Sequence, residues 1–478
     1  MENKRNLTGS EKAAYGLGAV GKDMVYMLSS GYILFYYQDT LHINPIAMGI
    51  ILLAARIFDA FNDPIMGVIV AKTKTRWGKF RPWLMIGTLT NSVILYLMFA
   101  CPPDLKNGGL IAYAAVFYVL WGVTYTMMDI PFWSMIPAFT REGKEREGLS
   151  AFARSCAGVG SALVSILAMK LVYALGGAFG GTTDKEIVVL GFKWFALVVA
   201  VLFVIFIVIT CMTIKENSTT DMETASVKDM FKALVRNDQA MTVVITIVLV
   251  NIALYITSNL LLYFFKYDFG GSNWYDSYTL FNTVAGAAQI LAMMILYPLL
   301  RKFMTSIKIF YCSLIISITG YIILLFFSSY GLMAITLLLI PGVMIMAATG
   351  MNNVLVTIFL ANTCDYGEYK NGSRNESVIF SMQTFVVKLA SGIAAFLASV
   401  ALSFFNMSSE AVKDTDKNVD FSKLVSGSSK IGLRMVMTIL PIIGLIIALF
   451  WFKKRYILTD EKNKEITEDI KNRQLGVK

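Results

Sequence analysis

Apolar runs of about 20 residues recur about twelve times along the chain, and no other property restricts its fold as strongly. At about 1.5 Å of rise per residue, each run as a helix crosses a hydrocarbon core roughly 30 Å thick. In that core every backbone N–H and C=O must be bonded within the segment, which favours helices. The runs lie at about 13–37, 47–70, 82–101, 110–137, 149–175 and up to 214, then at about 240–265, 278–300, 307–327, 332–361, 378–405 and 431–452. With 56% of its residues hydrophobic and 15% charged, the chain reads as an all-α polytopic membrane protein.

The polar stretches between the runs set the organisation. The longest internal one divides an N-terminal half, 1–214, from a C-terminal half, 240–453, and 454–478 reads as a polar tail of mixed charge. Within the divider, 215–239, Val227, Met230, Phe231 and Leu234 recur at helical spacing among Lys228, Lys232 and Arg236. That pattern predicts a short helix on the inner membrane surface, or a solvated linker helix. Lys and Arg cluster at Lys4-Arg5, Lys72–Arg81, Arg141–Arg146, Arg301-Lys302 and Lys453–Arg455, on alternate connections and near both ends. The positive-inside rule then puts both termini in the cytoplasm of a multi-pass protein of the plasma (inner) membrane. The net charge of +10 reports this orientation and no nucleic-acid partner. Five scattered cysteines without CxxC spacing and a single histidine, His42, indicate neither a disulfide framework nor a zinc centre.

Ionisable residues inside the runs are the functional signal, since each costs about 2.5 to 3.5 kcal/mol at a bilayer centre. The second run contains Asp59, Asn62 and Asp63 at i, i+3 and i+4, one face of a helix. The first carries Lys22 and Asp23 near its middle, and the fourth carries Tyr125, Thr126, Asp129 and Trp133, with Tyr125, Asp129 and Trp133 one turn apart. Arg154 falls in the fifth, and Gln383, Thr384 and Lys388 in the eleventh. The plain alternative is a set of static ion pairs that fix the helices against one another. Counting Lys22, Arg154 and Lys388 against Asp23, Asp59, Asp63 and Asp129 leaves one excess negative charge, which one monovalent cation neutralises, provided Arg56 faces elsewhere. Two carboxylates one turn apart need a cation or a proton between them, and oxygen donors suit a hard ion such as Na⁺. The carboxylates of Asp23 and Asp129, the donors Lys22 and Arg154 and the flat face of Trp133 suit a carbohydrate.

Gly16-Leu-Gly18-Ala-Val-Gly21 matches the GxGxxG dinucleotide fingerprint, but it opens an apolar run where a nucleotide site would follow a strand. Close contact between helices is the favoured reading.

Six segments carry a resemblance: Tyr15–Asp23, Arg56–Gly67, Arg76–Trp83, Trp121–Trp133, Asp365-Tyr-Gly-Glu-Tyr369 and Gln383–Lys388. Through them the chain resembles the glycoside-pentoside-hexuronide:cation symporter family of the major facilitator superfamily, and most of all its melibiose permease branch. The resemblance implies twelve transmembrane helices in two six-helix bundles with alternating access. It implies a cation site at Asp59, Asn62, Asp63 and Thr126, and a sugar site at Lys22, Asp23, Asp129, Trp133 and Arg154. Tyr125, Gln383 and Thr384 would line it, Lys388 would couple sugar to ion, and Arg76, Lys79, Arg81, Asp365 and Glu368 would belong to cytoplasmic gating loops. The expected cargo is a glycoside, an α-galactoside such as melibiose, moved with Na⁺, H⁺ or Li⁺ and without a cofactor. Three positions depart from the branch: Asn353 replaces a tryptophan, Ser30 a tyrosine and Asn362 an acidic residue. Asn353 and Ser30 fall on the expected cavity wall and leave the exact disaccharide open, and Asn353 permits a pentoside (xyloside) or hexuronide. A membrane enzyme would need a nucleophile or metal constellation that the sequence does not offer, and a sugar sensor an output domain larger than the tail.

Overall fold

A computed structural model describes residues 7–139, 144–214, 216, 232, 234–271, 273–371, 376–405, 407 and 420–474. Most of the surface helix expected around Val227, Met230 and Phe231 lies outside these residues. Among them there is no strand, only an isolated bridge between Thr75 and Gly78. The helices are α1 (Gly9–Leu34), α2 (Pro45–Lys72), α3 (Arg81–Phe99), α4 (Asn107–Ser134), α5 (Ile136–Phe139), α6 (Lys144–Ala178) and α7 (Asp184–Thr213). After the divider come α8 (Asp238–Tyr263), α9 (Trp274–Leu291), α10 (Tyr297–Arg301), α11 (Ser306–Ser329), α12 (Ile335–Asn371), α13 (Glu376–Phe404), α14 (Gly427–Arg455) and α15 (Asp460–Gln474). Among the described residues eleven spans are long and apolar enough to cross a membrane. α1 makes the twelfth long helix, with 26 residues and the charged pair Lys22-Asp23 at its centre.

Local chemistry starts these helices. Thr8 and Glu11 form a capping box at α1, and Thr183 and Glu186 form another at α7. Asn44 caps α2 through the Ile46 and Ala47 amides, with Pro45 in the first turn where no N–H is needed. α1 and α8 both run on into π-helical turns, Phe35–Thr40 and Phe264–Phe269, each with a phenylalanine first and an aspartate fifth. In the second of these, Arg434 of α14 binds Asp268 bidentately at 2.6 and 2.7 Å.

The chain forms two compact units. The first comprises Met1–Thr224 with two short segments from later in the chain, Gly270–Thr279 and Leu402–Leu424. In it α1, α6 and α7 pack against one another, and α4 contacts α2 and α3. Glycines set the closest approaches: a Cβ on Gly160 would stand 2.2 Å from the Val20 carbonyl oxygen, and one on Gly16 would stand 2.7 Å from the Phe152 ring. The Gly16–Gly21 motif is thus a helix contact surface. The segment Gly270–Thr279 is fixed to this unit by Tyr275 stacked on Tyr173 at 4.7 Å, by an Asp276–Lys170 ion pair of 2.9 Å and by Asp420, which accepts from the Gly271 amide at 2.9 Å.

The second unit comprises Ala225–Phe269, Leu280–Ala401 and Val425–Lys478. α8 lies along α14, and α11 along α12. The stretch read as a polar tail is largely α15, anchored on α12 by buried Ile466 and tied to Arg301 through Asp460 at 2.7 Å. α12 is also longer than the apolar run suggests, reaching Asn371, so Asp365 and Glu368 lie in its last turns and not in a loop. Likewise, helix α6 already begins at Lys144, inside the charged connection.

α2 inverts the pattern of a soluble helix. Arg56 and Asp59 are 4% and 5% exposed, while Phe58, Phe61 and Ile65 stand out at 44–59%. Polar residues face protein and apolar ones face outward, as a lipid environment requires.

Candidate functional site

Two polar clusters lie within the first unit, and α4 serves both. In one, α2 supplies Arg56, Asp59, Asn62 and Asp63. The Arg56 guanidinium donates to Asp59 Oδ2 at 3.2 Å and stands 5.8 and 6.0 Å from the ring centres of Tyr26 and Tyr118. Asp59 Oδ1 lies where α4 has Gly122, since a Cβ there would approach it to 2.5 Å. Thr126 Oγ1 donates to Asp63 Oδ1 at 3.0 Å, and Asn62 Nδ2 is buried with no partner among the described residues. Aspartates, an amide and a hydroxyl therefore converge on one stretch of the α2–α4 interface, a donor set that fits a hard monovalent ion.

Arg56 corrects the charge count made on the sequence. With it included, Lys22, Arg56, Arg154 and Lys388 balance the four aspartates, so net charge alone no longer calls for a cation. Within the first unit, where Lys388 does not lie, three basic side chains still face four aspartates.

The second cluster centres on Lys22 of α1, which is 3% exposed. Its ammonium lies 2.8 Å from Asp129 Oδ1 and 3.5 Å from Asp23 Oδ2, and it donates to the Tyr125 hydroxyl at 3.2 Å. Trp133, one turn beyond Asp129, donates its indole N–H to Asp129 Oδ1 at 3.1 Å. Lys22 and Arg154 both lie over the Trp133 ring, at 5.0 and 4.8 Å from its centre. All six residues of the N-terminal half expected at a sugar site thus form one cluster. The Arg154 guanidinium and the two part-exposed carboxylates offer donors and acceptors to a polyhydroxylated guest, while the buried Lys22 ammonium is taken up by Asp129, Asp23 and Tyr125 and holds them in place.

Tyr125 and Thr126 are consecutive on α4, and one touches each cluster. Tyr125 is held by Trp121, stacked on it at 5.3 Å, and by Tyr26 at 5.6 Å, the same Tyr26 that flanks Arg56. The two clusters are thus in contact through a chain of mutually touching rings, Trp121, Tyr125 and the half-buried Tyr26.

The connection between α2 and α3 contains the expected gating residues. Arg76 is exposed, whereas Lys79 and Arg81 engage Glu216 through their backbone amides, and the Arg81 guanidinium adds a 3.7 Å contact to the same carboxylate and a 3.4 Å hydrogen bond to the Cys211 carbonyl. The Lys79, Phe80 and Arg81 amides donate to the Glu216 carboxylate at 2.6, 3.1 and 2.9 Å, at the start of α3 where amides lack helical partners. Glu216 was not singled out from the sequence. Gly78, at φ +109°, lies so close to it that a Cβ would stand 2.4 Å from Oε1.

The remaining expected residues belong to the second unit. Gln383, Thr384 and Lys388 are on α13, with Thr384 exposed and Gln383 and Lys388 half-buried. Asp365 and Glu368 are half-buried near the end of α12, where Lys370 pairs with Asp238 at 2.6 Å and Asn237 donates to the Thr363 carbonyl at 2.7 Å. Asn353 is exposed on α12 and Asn362 donates to the Tyr456 hydroxyl at 3.5 Å.

Residues 14–460 match the family described as MFS/sugar transport protein. The chain is 26% identical to the raffinose carrier protein of Pediococcus pentosaceus over 474 residues, 95% of this chain and 70% of the relative. It is 30% identical to the isoprimeverose transporter of Lactiplantibacillus pentosus over 406 residues, 84% of this chain and 81% of the relative. A solved bacterial homologue of the human lysosomal transporter Spinster superposes with a TM-score of 0.65 at 13% identity, over 94% of this chain and 95% of that one, a likeness of fold alone.

Proposed function

Because the chain belongs to the MFS/sugar transport protein family, we propose that it is a secondary transporter that moves an uncharged glycoside together with a monovalent cation by alternating access. The observation that carries this reading is the pair of clusters joined through Tyr125 and Thr126. In this reading Asp59, Asn62, Asp63 and Thr126 take the cation. Lys22, Asp23, Asp129, Trp133 and Arg154 hold the sugar, Gln383, Thr384 and Lys388 contribute to lining and coupling, and the α2–α3 connection and the end of α12 gate the passage. Coupling is reciprocal: the cation raises sugar affinity by the factor by which sugar raises cation affinity.

Na⁺ is favoured as the ion by the oxygen-only donors, with Li⁺ and H⁺ as competitors. An α-galactoside such as melibiose is the proposed cargo. Asp23 and Asp129 disfavour a hexuronide by charge repulsion. A xyloside is the second reading, favoured by Asn353 where the melibiose permease branch carries a tryptophan.

The deciding experiment is uptake of labelled melibiose into vesicles with and without an inward Na⁺ gradient at fixed pH and potential, for the wild type and Asp59→Cys. Sodium-driven accumulation that Asp59→Cys loses while retaining sugar exchange is the expected result. Sodium-driven uptake of a xyloside alone moves the substrate, and the absence of coupled uptake of any glycoside refutes the symporter reading.

A further inference from the structure

Asp59 is proposed above as a cation ligand, yet it already holds a cation of the protein's own. We propose that Arg56 is a tethered competitor for the coupling ion: its guanidinium neutralises Asp59 before the ion arrives, must leave that carboxylate for the ion to bind, and so sets the cation affinity of the transporter. This rests on the reading of Asp59 and Asp63 as cation ligands.

The guanidinium and Asp59 Oδ2 are 3.2 Å apart, with side chains only 5% and 7% exposed, so the pair is little screened by solvent. Arginine cannot relieve this by giving up its proton. The other oxygen, Oδ1, lies toward α4, where a Cβ on Gly122 would stand 2.5 Å from it. An incoming cation therefore contends with the guanidinium for the same carboxylate. Arg56 already has a second hold beside Asp59. The rings of Tyr26 and Tyr118 lie 5.8 and 6.0 Å from its central carbon, and their faces can hold a guanidinium that has released its carboxylate. Tyr26 also meets Tyr125, which touches Lys22, so the movement that admits the ion is felt at the sugar cluster.

The arrangement has a functional logic. A carboxylate pair without Arg56 would bind an ion tightly and release it slowly. With Arg56 present, release is assisted by a charge that returns to Asp59 as the ion departs.

The test is Na⁺ binding by purified protein in lipid nanodiscs, followed by isothermal titration for the wild type, Arg56→Gln, Asp59→Asn and the double variant Arg56→Gln/Asp59→Asn. Removal of a full charge within a few ångströms predicts at least about tenfold tighter Na⁺ binding in Arg56→Gln, and none in Asp59→Asn. The double variant, which removes both charges together, reports whether the fold tolerates loss of the pair. If Arg56→Gln binds Na⁺ with unchanged or weaker affinity while the wild type binds and Asp59→Asn does not, the competitor role is refuted and the cation site stands. If the wild type shows no saturable binding of Na⁺ or Li⁺, the cation reading itself falls and the proposal with it. For a variant that does not fold, ¹⁵N-arginine labelling of the wild type decides: the Arg56 side-chain resonance moves saturably with Na⁺, and a resonance that stays fixed overturns the proposal.

Discussion

Replacing Glu216 with alanine should release the connection between α2 and α3. The carboxylate is 5% exposed, accepts from three successive amides and lies 3.7 Å from Arg81 Nε. A hydrogen bond to a charged group contributes about 1.5 to 3 kcal/mol, and three on one carboxylate do not add fully. Water replaces part of what is lost once the loop opens, so a net easing of local opening by about 2 to 3 kcal/mol follows, or about 30- to 150-fold in the open population. Lys72, Lys74 and Arg76 are exposed trypsin sites around this clip. When closing outpaces cleavage, the tryptic rate at these sites follows the open population, so Glu216→Ala should raise it by that factor. Glu216→Gln, which keeps an acceptor oxygen but loses the charge, should fall between. Cleavage after Lys462 in α15 should not change. An alanine variant cut at the wild-type rate around residues 72–76 would refute the clip.

Gly160→Val should prevent α1 from meeting α6, because even the first added carbon would lie 2.2 Å from the Val20 oxygen; detergent-solubilised protein should lose its monodisperse elution, with Gly158→Ala, which meets nothing, as the control. Lys22→Met should cost about 3 to 5 kcal/mol by leaving Asp129 and Asp23 without their ammonium, and Lys22→Met/Asp129→Leu should recover part of the lost melting temperature without recovering transport. Burial raises the Asp420 carboxyl, but the Gly271 amide and the hydroxyl and amide of Ser422 together bring it below its ordinary value. Its contribution to stability is then fully present above the unfolded value of about 3.9 and is lost as pH falls through the lower native value. A Gly271 amide resonance that titrates above pH 3.9 would contradict this.

The parts of the site that were legible in the sequence share one property: they are charges in places where water is scarce. Lys22, Asp59, Asp63 and Asp129 stand out because an apolar run gives them no other reason to be there. Arg56 carries the same signal and was left open because one turn of helix does not tell which of two faces a long side chain takes. Glu216 gave no signal: it borders a hydrophilic stretch and meets Lys79 across 137 residues of sequence. The Asp365-Tyr-Gly-Glu-Tyr369 motif reads as a loop because it lies past the apolar run that ends near 361, but Gly367 makes room for Asn237, whose Nδ2 would stand 2.9 Å from a Cβ, and the helix runs through. α15 reads as a solvated tail because Ile466 is its one fully buried described residue. The π turns at Phe35 and Phe264 have no local sequence mark, since the extra residue per turn is a matter of tertiary fit.

The inclusion of Gly270–Thr279 and Leu402–Leu424 in the first compact unit bears on how the protein is made. Synthesis proceeds at about 5 to 20 residues per second, so the stretch from residue 214 to residue 424 takes on the order of 10 to 40 s. For roughly the first 60 residues of that stretch, about 3 to 12 s, α1–α7 exist without Tyr275 and Asp276, the partners of Tyr173 and Lys170, and they wait through the rest of it for Leu402–Leu424. Membrane insertion and tertiary completion are thus separate events for this unit, and the last of its pieces arrives when nearly nine-tenths of the protein has been translated.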